Sequence, residues 1–241
     1  MANPEANTPE KPARPPFLVA ITGGSGSGKS TLAEALVHAF GSARALHLGE
    51  DNYYWPLSRY GQPRDASEWQ ALTSAINFDA PDSKDTDQMA RDLAALKGGR
   101  RVRQPVYDYA RHDRDPERAV ELVPHELLVL EGIHVLSIPE IAPLIDLSVY
   151  VETQDDLRLA RRIRRDVVER GRNVEGVLAQ YLSTVRPAHY RWTYPAKFQA
   201  HLVIADEGLP AYGDVRPGPQ AVARMLAPVI ERLAAEGYVP G

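Results

Sequence analysis

Phe17-Leu18-Val19-Ala20-Ile21-Thr22-Gly23-Gly24-Ser25-Gly26-Ser27-Gly28-Lys29-Ser30-Thr31 is the stretch that decides the fold. Its first five residues form an apolar run between Pro16 and the glycines, the pattern of a short buried strand. The spacing Gly23-x4-Gly28-Lys29-Ser30 then matches a phosphate-binding loop. Glycines let such a loop fold tightly and aim backbone N–H groups at phosphate oxygens. Lys29 brings a cation to the β- and γ-phosphates, and Ser30 offers an oxygen to Mg²⁺. A helix is predicted over about 29–40, with Leu32, Leu36, Val37 and Phe40 on one face and its positive end toward the phosphates. Strand, loop and helix in this order call for ATP and Mg²⁺, and leave open what is done with the triphosphate.

The same apolar logic extends along the chain. Strands are predicted at 44–48, 127–130, 147–151 and 202–204. Helices are predicted near 67–76, 85–96, 174–185 and 221–236. Residues 101–109 and 119–123 alternate weakly and read as a β-hairpin. Thr153-x-x-Asp156 resembles a capping box opening a helix that runs to Gly171. Strands alternate with helices, so the fold class is α/β, a mostly parallel sheet covered on both faces. One domain is expected over 17–236, with a hairpin insertion at about 101–123 and a lid at about 154–185. Residues 1–16, rich in Pro, Ala, Glu and Asn, read as a disordered tail, and 237–241 as a short C-terminal one.

Composition narrows the setting. The 241 residues are 44% hydrophobic, which permits a sizeable core. A net charge of −4 gives no general drive toward nucleic acid or an anionic membrane. With no cysteine, disulfides, thiolate metal sites and a thiol nucleophile are excluded, which fits a cytoplasmic protein. No apolar run approaches the ~18 residues of a membrane span.

Two features stand out against this background. Asp51 and Glu131 each follow an apolar strand, at the sheet edge where α/β proteins bind ligands. Asp51 suits a carboxylate that accepts the proton of an attacking hydroxyl, and Glu131 the Mg²⁺ surroundings. Each also reads as an ordinary loop acid. Arg158, Arg161, Arg162, Arg164, Arg165, Arg170 and Arg172 fall within fifteen residues. That density fits a solvated basic face, a nucleic-acid contact or a closing lid over a triphosphate. In the lid reading two to four of the seven are inert, and Arg158 is taken as one exposed to solvent.

The ordered set of motifs resembles the uridine-cytidine kinase family over about 17–205. It comprises the loop Gly23–Thr31, Glu50-Asp51-Asn52-Tyr53-Tyr54, Asn77-Phe78-Asp79-x-Pro81 and Pro105-Val106-Tyr107-Asp108-Tyr109-x-x-His112-x-Arg114. Glu131-Gly132-Ile133 and Arg161-Arg162-x-x-Arg165-Asp166-x-x-Glu169-Arg170-Gly171-Arg172 follow, then Gln180-Tyr181, Val185-x-Pro187 and Pro195-x-Lys197. The resemblance implies a P-loop kinase that phosphorylates the 5′-hydroxyl of uridine and cytidine in pyrimidine salvage. It implies Asp51 as catalytic base, with Lys29, Arg165 and Arg170 at the phosphates. Asp79 would hold the ribose hydroxyls, Tyr107 and His112 the pyrimidine, and Arg162, Arg172 and Gln180 further substrate atoms. A homo-oligomer, a tetramer by resemblance alone, is implied too, with no nucleic-acid or membrane partner.

The chain departs from the family pattern at Ala80, where the family has histidine, and at Asp206-Glu207, where it has Pro-Arg before glycine. Two alternatives stay open: a related P-loop kinase for a phosphoribulose- or pantothenate-type hydroxyl, and a non-catalytic nucleotide-binding regulator.

Overall fold

The computed structural model describes residues 14–109, 111–206 and 217–241. Five parallel strands form the main sheet: β1 (Phe17–Thr22), β2 (Ala45–Gly49), β5 (Leu127–Glu131), β6 (Leu147–Glu152) and β7 (Leu202–Ala205), in the order β2-β5-β1-β6-β7. β1 lies at the centre, with Ile21 opposite Glu131 of β5 and Val149 of β6. Its buried residues point alternately to two cores, which is why it reads as a continuous apolar run. One core packs Val19 and Ile21 against α1 (Lys29–Phe40) and the last helix, through Leu32, Leu36, Met225 and Val229. The other packs Leu18 and Ala20 against α3 (Thr86–Lys97) through Met89, Leu93 and Leu96.

β3 (Val102–Asp108) and β4 (Asp113–Leu122) pair as a separate two-stranded hairpin, with an irregularity in register between Pro105 and Tyr107. Between β2 and α3 lies the short helix α2 (Ala66–Ala75), whose N-cap Asp65 accepts the backbone N–H of Glu68. After β6 come α4 (Asp155–Val168) and α5 (Val174–Gln180). α5 then continues as a π-helical turn at Tyr181–Val185, one α-turn α6 (Arg186–Ala188) and a second π-turn at His189–Thr193. The chain closes with α7 (Pro219–Ala235).

The expected capping box does not form. Thr153 instead donates its hydroxyl to the Ser27 carbonyl at 2.9 Å, and α4 starts two residues later. A buried loop carbonyl needs a donor more than an exposed helix end does, because the helix end has water. Residues 1–13 of the expected tail lie outside the described residues. Arg14–Pro16 pack on the C-terminal turn: Tyr238 is buried and donates to the Pro15 carbonyl, and the Arg14 guanidinium lies over its ring.

Candidate active site

The site gathers at the C-terminal ends of β1, β2 and β5. Residues 23–28 wrap the start of α1, whose N-cap is Gly28 in the left-handed conformation. Gly26 takes φ 81°, and a Cβ there would run into the backbone of Arg158. The α4 backbone thus closes on the loop where no side chain is tolerated. Ser30 donates to Glu131 Oε2 at 3.1 Å. Burial, with Asp51 and Glu50 near, raises the Glu131 carboxyl to about 7 against the pull of Lys29 and Ser30. The Ser30 hydroxyl oxygen beside the Glu131 carboxylate is a donor pair of the kind that suits a hard divalent cation. Among the described residues no cluster of three or more His, Cys, Asp or Glu forms a metal cage of its own.

Two cavities meet at this edge. One, of about 200 Å³, is lined by Gly28, Lys29, Thr31, Arg161, Arg165 and Pro217. The other, of about 270 Å³, is lined by Ser25, Lys29, Asp51, Asp79, Tyr107, His112 and Glu131, with Arg162, Arg170, Arg172 and Gln180. Lys29, Ser30 and Arg165 border both, so a ligand in each would meet at these side chains. Every substrate-contact residue expected from the sequence therefore faces one space. Of the expected phosphate-loop residues, Gly23, Gly24 and Ser27 line neither of the two cavities. Ser27 is buried beneath the loop, and Gly24 faces the other way, against Arg158 and His189.

Around the second cavity each side chain is held from behind. The Thr184 hydroxyl donates to Asp79 Oδ2 at 2.8 Å, and the Asp79 N–H donates to Asn77. Tyr54, which ends the short 3-10 turn Glu50–Tyr53 after β2, stacks at a tilt on Tyr107 and donates its hydroxyl to the Phe78 carbonyl. The Tyr107 hydroxyl is buried with no hydrogen-bond partner among the described residues. His112 sits at φ 50° in the hairpin turn, its ring 5.1 Å from Phe78 and 5.6 Å from Trp69. Burial, with Arg172 and Arg170 near, lowers its pKa, so the imidazole is neutral near pH 7, one nitrogen donating and the other accepting.

Sequence reasoning missed two residues. Tyr109 donates its hydroxyl to Asp51 Oδ2 at 2.8 Å, and the Arg170 guanidinium lies over its ring. Asp166, fully buried, is the hub of the arginine-rich segment. Arg165 reaches it at 2.9 Å, Arg170 at 3.4 Å, Arg162 at 3.6 Å and Arg172 at 3.7 Å. The signal was available, as one of only two acids, with Glu169, amid the seven arginines of 158–172. Gln180 Oε1 accepts from both Arg162 and Arg172, and Arg162 also donates to Ser25.

Arg158 is a correction. It was expected to be exposed, and it is buried at 3% exposure. Its guanidinium donates to the Thr153 carbonyl and to Asp155, and it packs where a side chain on Gly24 would have to go. It points under the phosphate loop because α4 begins beside that loop, which residue spacing on a helix cannot reveal. The acidic departure at 206 has a plain reason: Asp206 is buried and pairs with Arg161.

A family model described as Phosphoribulokinase / Uridine kinase family matches residues 18–209. The chain belongs to this kinase family. A uridine kinase of Lactiplantibacillus plantarum (strain ATCC BAA-793 / NCIMB 8826 / WCFS1) is 35% identical over 200 residues, covering 83% of this chain and 91% of that protein. A uridine kinase of Brevibacillus brevis (strain 47 / JCM 6285 / NBRC 100599) is 38% identical over 193 residues, covering 80% and 86%. Among solved structures, a provisionally assigned fructose transport system kinase from Silicibacter sp. TM1040 superposes with a TM-score of 0.63 at 25% identity, covering 81% of this chain and 93% of that one. The main sheet is parallel with the phosphate loop following its central strand, and no helix among the described residues is long and apolar enough to cross a membrane.

Proposed function

We propose that the protein transfers the γ-phosphoryl group of ATP to the 5′-hydroxyl of uridine and of cytidine. The observation that carries this reading is the shared cavity, in which the Asp79 carboxylate, the neutral His112 imidazole and the Tyr107 phenol, without a hydrogen-bond partner among the described residues, face the space beside Asp51 and Lys29. In this reading the Asp79 carboxylate accepts from the 2′- and 3′-hydroxyls. His112 and Tyr107 meet the pyrimidine edge, with both donor and acceptor on offer, so either base fits. Arg162, Arg172 and the Gln180 amide close the site over the substrate.

Asp51 accepts the 5′-hydroxyl proton as that oxygen bonds to the γ-phosphorus and the bridging bond to the β-phosphate breaks. Lys29, Arg165 and Arg170 meet the charge that spreads over the transferring oxygens. Backbone N–H groups of 24–31 hold the phosphates. Ser30 and Glu131 would hold Mg²⁺, which when bound offsets negative charge on the β- and γ-oxygens. The same reading makes the protein a cytoplasmic homo-oligomer, and light scattering on the eluted protein measures its mass.

Incubating the pure protein with ATP, Mg²⁺ and a panel of nucleosides and sugars tests the acceptor. Uridine and cytidine are expected to be consumed. The ribose is expected to beat the 2′-deoxyribose by tenfold or more in kcat/KM, since a deoxy acceptor leaves Asp79 underpaired by about 1–3 kcal/mol. Equal values for uridine and deoxyuridine would remove Asp79 as the ribose contact.

A further inference from the structure

Behind the acceptor cavity lies a charged cluster that the phosphoryl transfer does not touch. Glu50, Lys84 and His134 are 0%, 2% and 0% exposed. Lys84 Nζ is 3.1 Å from Glu50 Oε1 and 3.2 Å from His134 Nδ1. Glu50 Oε2 accepts the backbone N–H of His134 at 2.9 Å. Burial alone would raise the Glu50 carboxyl, yet Lys84 and His134 bring it down to about 2. Burial and Lys84 lower the pKa of His134, so a neutral imidazole accepts from the ammonium. A buried ion pair is often no more stable than apolar residues of the same volume. Stability is therefore a weak account of why this one is present.

Its connections suggest another. Glu50 directly precedes Asp51. Lys84 lies five residues after Asp79. His134 lies three after Glu131. Each member thus comes from a different one of the three segments that carry carboxylates into the site. The first two segments are also clipped by backbone bonds, from Trp55 N to Ser83 O at 3.0 Å and from Asp85 N to Tyr53 O at 2.8 Å. The third segment closes on Glu50 at Gly132, where a Cβ would collide with the Glu50 carboxylate. From the far side, Lys84 Nζ sits 4.4 Å from the centroid of the Tyr54 ring, which forms part of the cavity wall.

We propose that Glu50, Lys84 and His134 are a positioning triad that fixes the spacing of Asp51, Asp79 and Glu131 and seats Tyr54 against the acceptor. A charged centre bonded to three segments sets their separation more sharply than apolar contact does, because hydrogen-bond geometry is directional. The proposal rests on the reading of this cavity as the acceptor site. It assigns the triad no contact with substrate.

The test compares wild type, Lys84→Met and the double variant Glu50→Gln/Lys84→Met. The single variant strands a buried carboxylate and is expected to melt lower or fail to fold. The double variant removes both charges with little change in volume and is expected to melt near wild type. The acceptor in the assay is whichever compound of the panel the wild type consumes fastest. In the double variant its KM is expected to rise at least tenfold and kcat to fall at least tenfold, while the Kd for ATP alone stays within threefold. Acceptor kcat/KM within threefold of wild type would overturn the positioning role. So would an equal loss of ATP and acceptor affinity, which marks general loosening. A wild type that consumes no member of the panel would bring down the acceptor-site reading first, and the triad's role with it.

Discussion

Asp51 is held by a neighbour as well as by its strand. The Tyr109 hydroxyl occupies one carboxylate oxygen and leaves the other for an incoming proton. Asp51→Asn keeps the shape and cannot accept that proton, so kcat is expected to fall by about 10²–10⁴. Calorimetry should find ATP and nucleoside still bound within about tenfold. Wild-type turnover would remove Asp51 as the base. Tyr109→Phe removes only the orienting bond to a charged group, worth about 1.5 kcal/mol. Initial rates should show kcat lowered about tenfold with the KM for ATP unchanged; an unchanged kcat would make Tyr109 a wall residue alone. Asp51, Asp79 and Glu131 were legible because each ends a strand or stands in a motif. Tyr109 was not. Alternation along the hairpin gives the face of a residue, and whether a tyrosine's hydroxyl finds a partner depends on how the hairpin packs over β2.

At the scale of an element, α4 and the turn that follows it sort their arginines by depth. Arg158, Arg161 and Arg162 are buried, while Arg165, Arg170 and Arg172 keep about a third of their side-chain surface and face the cavities. Two substitutions separate these roles. Arg170→Ala should lower kcat by about 10³ or more, as for other arginines on a transferring phosphoryl. It should shift stability by no more than about 1 kcal/mol, since its ion pair is partly solvated. Arg158→Ala should do the reverse, destabilising by about 1–3 kcal/mol as the bonds of its buried guanidinium to the Thr153 carbonyl and to the half-exposed Asp155 are lost. It should also raise the KM for ATP, because the guanidinium supports Gly24. Urea melts and initial rates on both variants decide this, and identical behaviour would return the helix to a general basic face. The face shared by these arginines was readable from spacing of three and four. Which part of that face lies under the phosphate loop was not, because that depends on where β6 delivers the helix.

Over the whole molecule, the parallel sheet and its flanking helices were legible from apolar runs and glycine boundaries. The π-turns after α5 were not, since the same residues also satisfy a plain helix. Those turns carry His189 against Arg158, beside Tyr190, Tyr194 and Asp155. Burial, and then Arg158, lower the His189 pKa to about 4, against a weaker opposite pull from Asp155. A histidine with a depressed folded pKa stays neutral when folded and takes a proton when unfolded. Its contribution to stability is thus fully present above about 6.5 and lost as pH falls toward 4, by up to about 3 kcal/mol. Chemical melts across that range should show the loss, and His189→Gln should flatten it; an unchanged slope would exonerate His189.

The hairpin has a consequence of its own. β3 and β4 pair with each other and share no ladder with the main sheet, yet they bring Tyr107, Tyr109 and His112 to the cavity. The phosphate loop sits on the main sheet, some eighty residues earlier in the chain. In the proposed reading the contacts to the base therefore come from this one contiguous hairpin, while Asp79, Arg162, Arg172 and Gln180 meet the rest of the acceptor from other segments. In that reading, changes at Tyr107 and His112 would retune which base is accepted, while Tyr109 keeps the same hairpin fastened to Asp51.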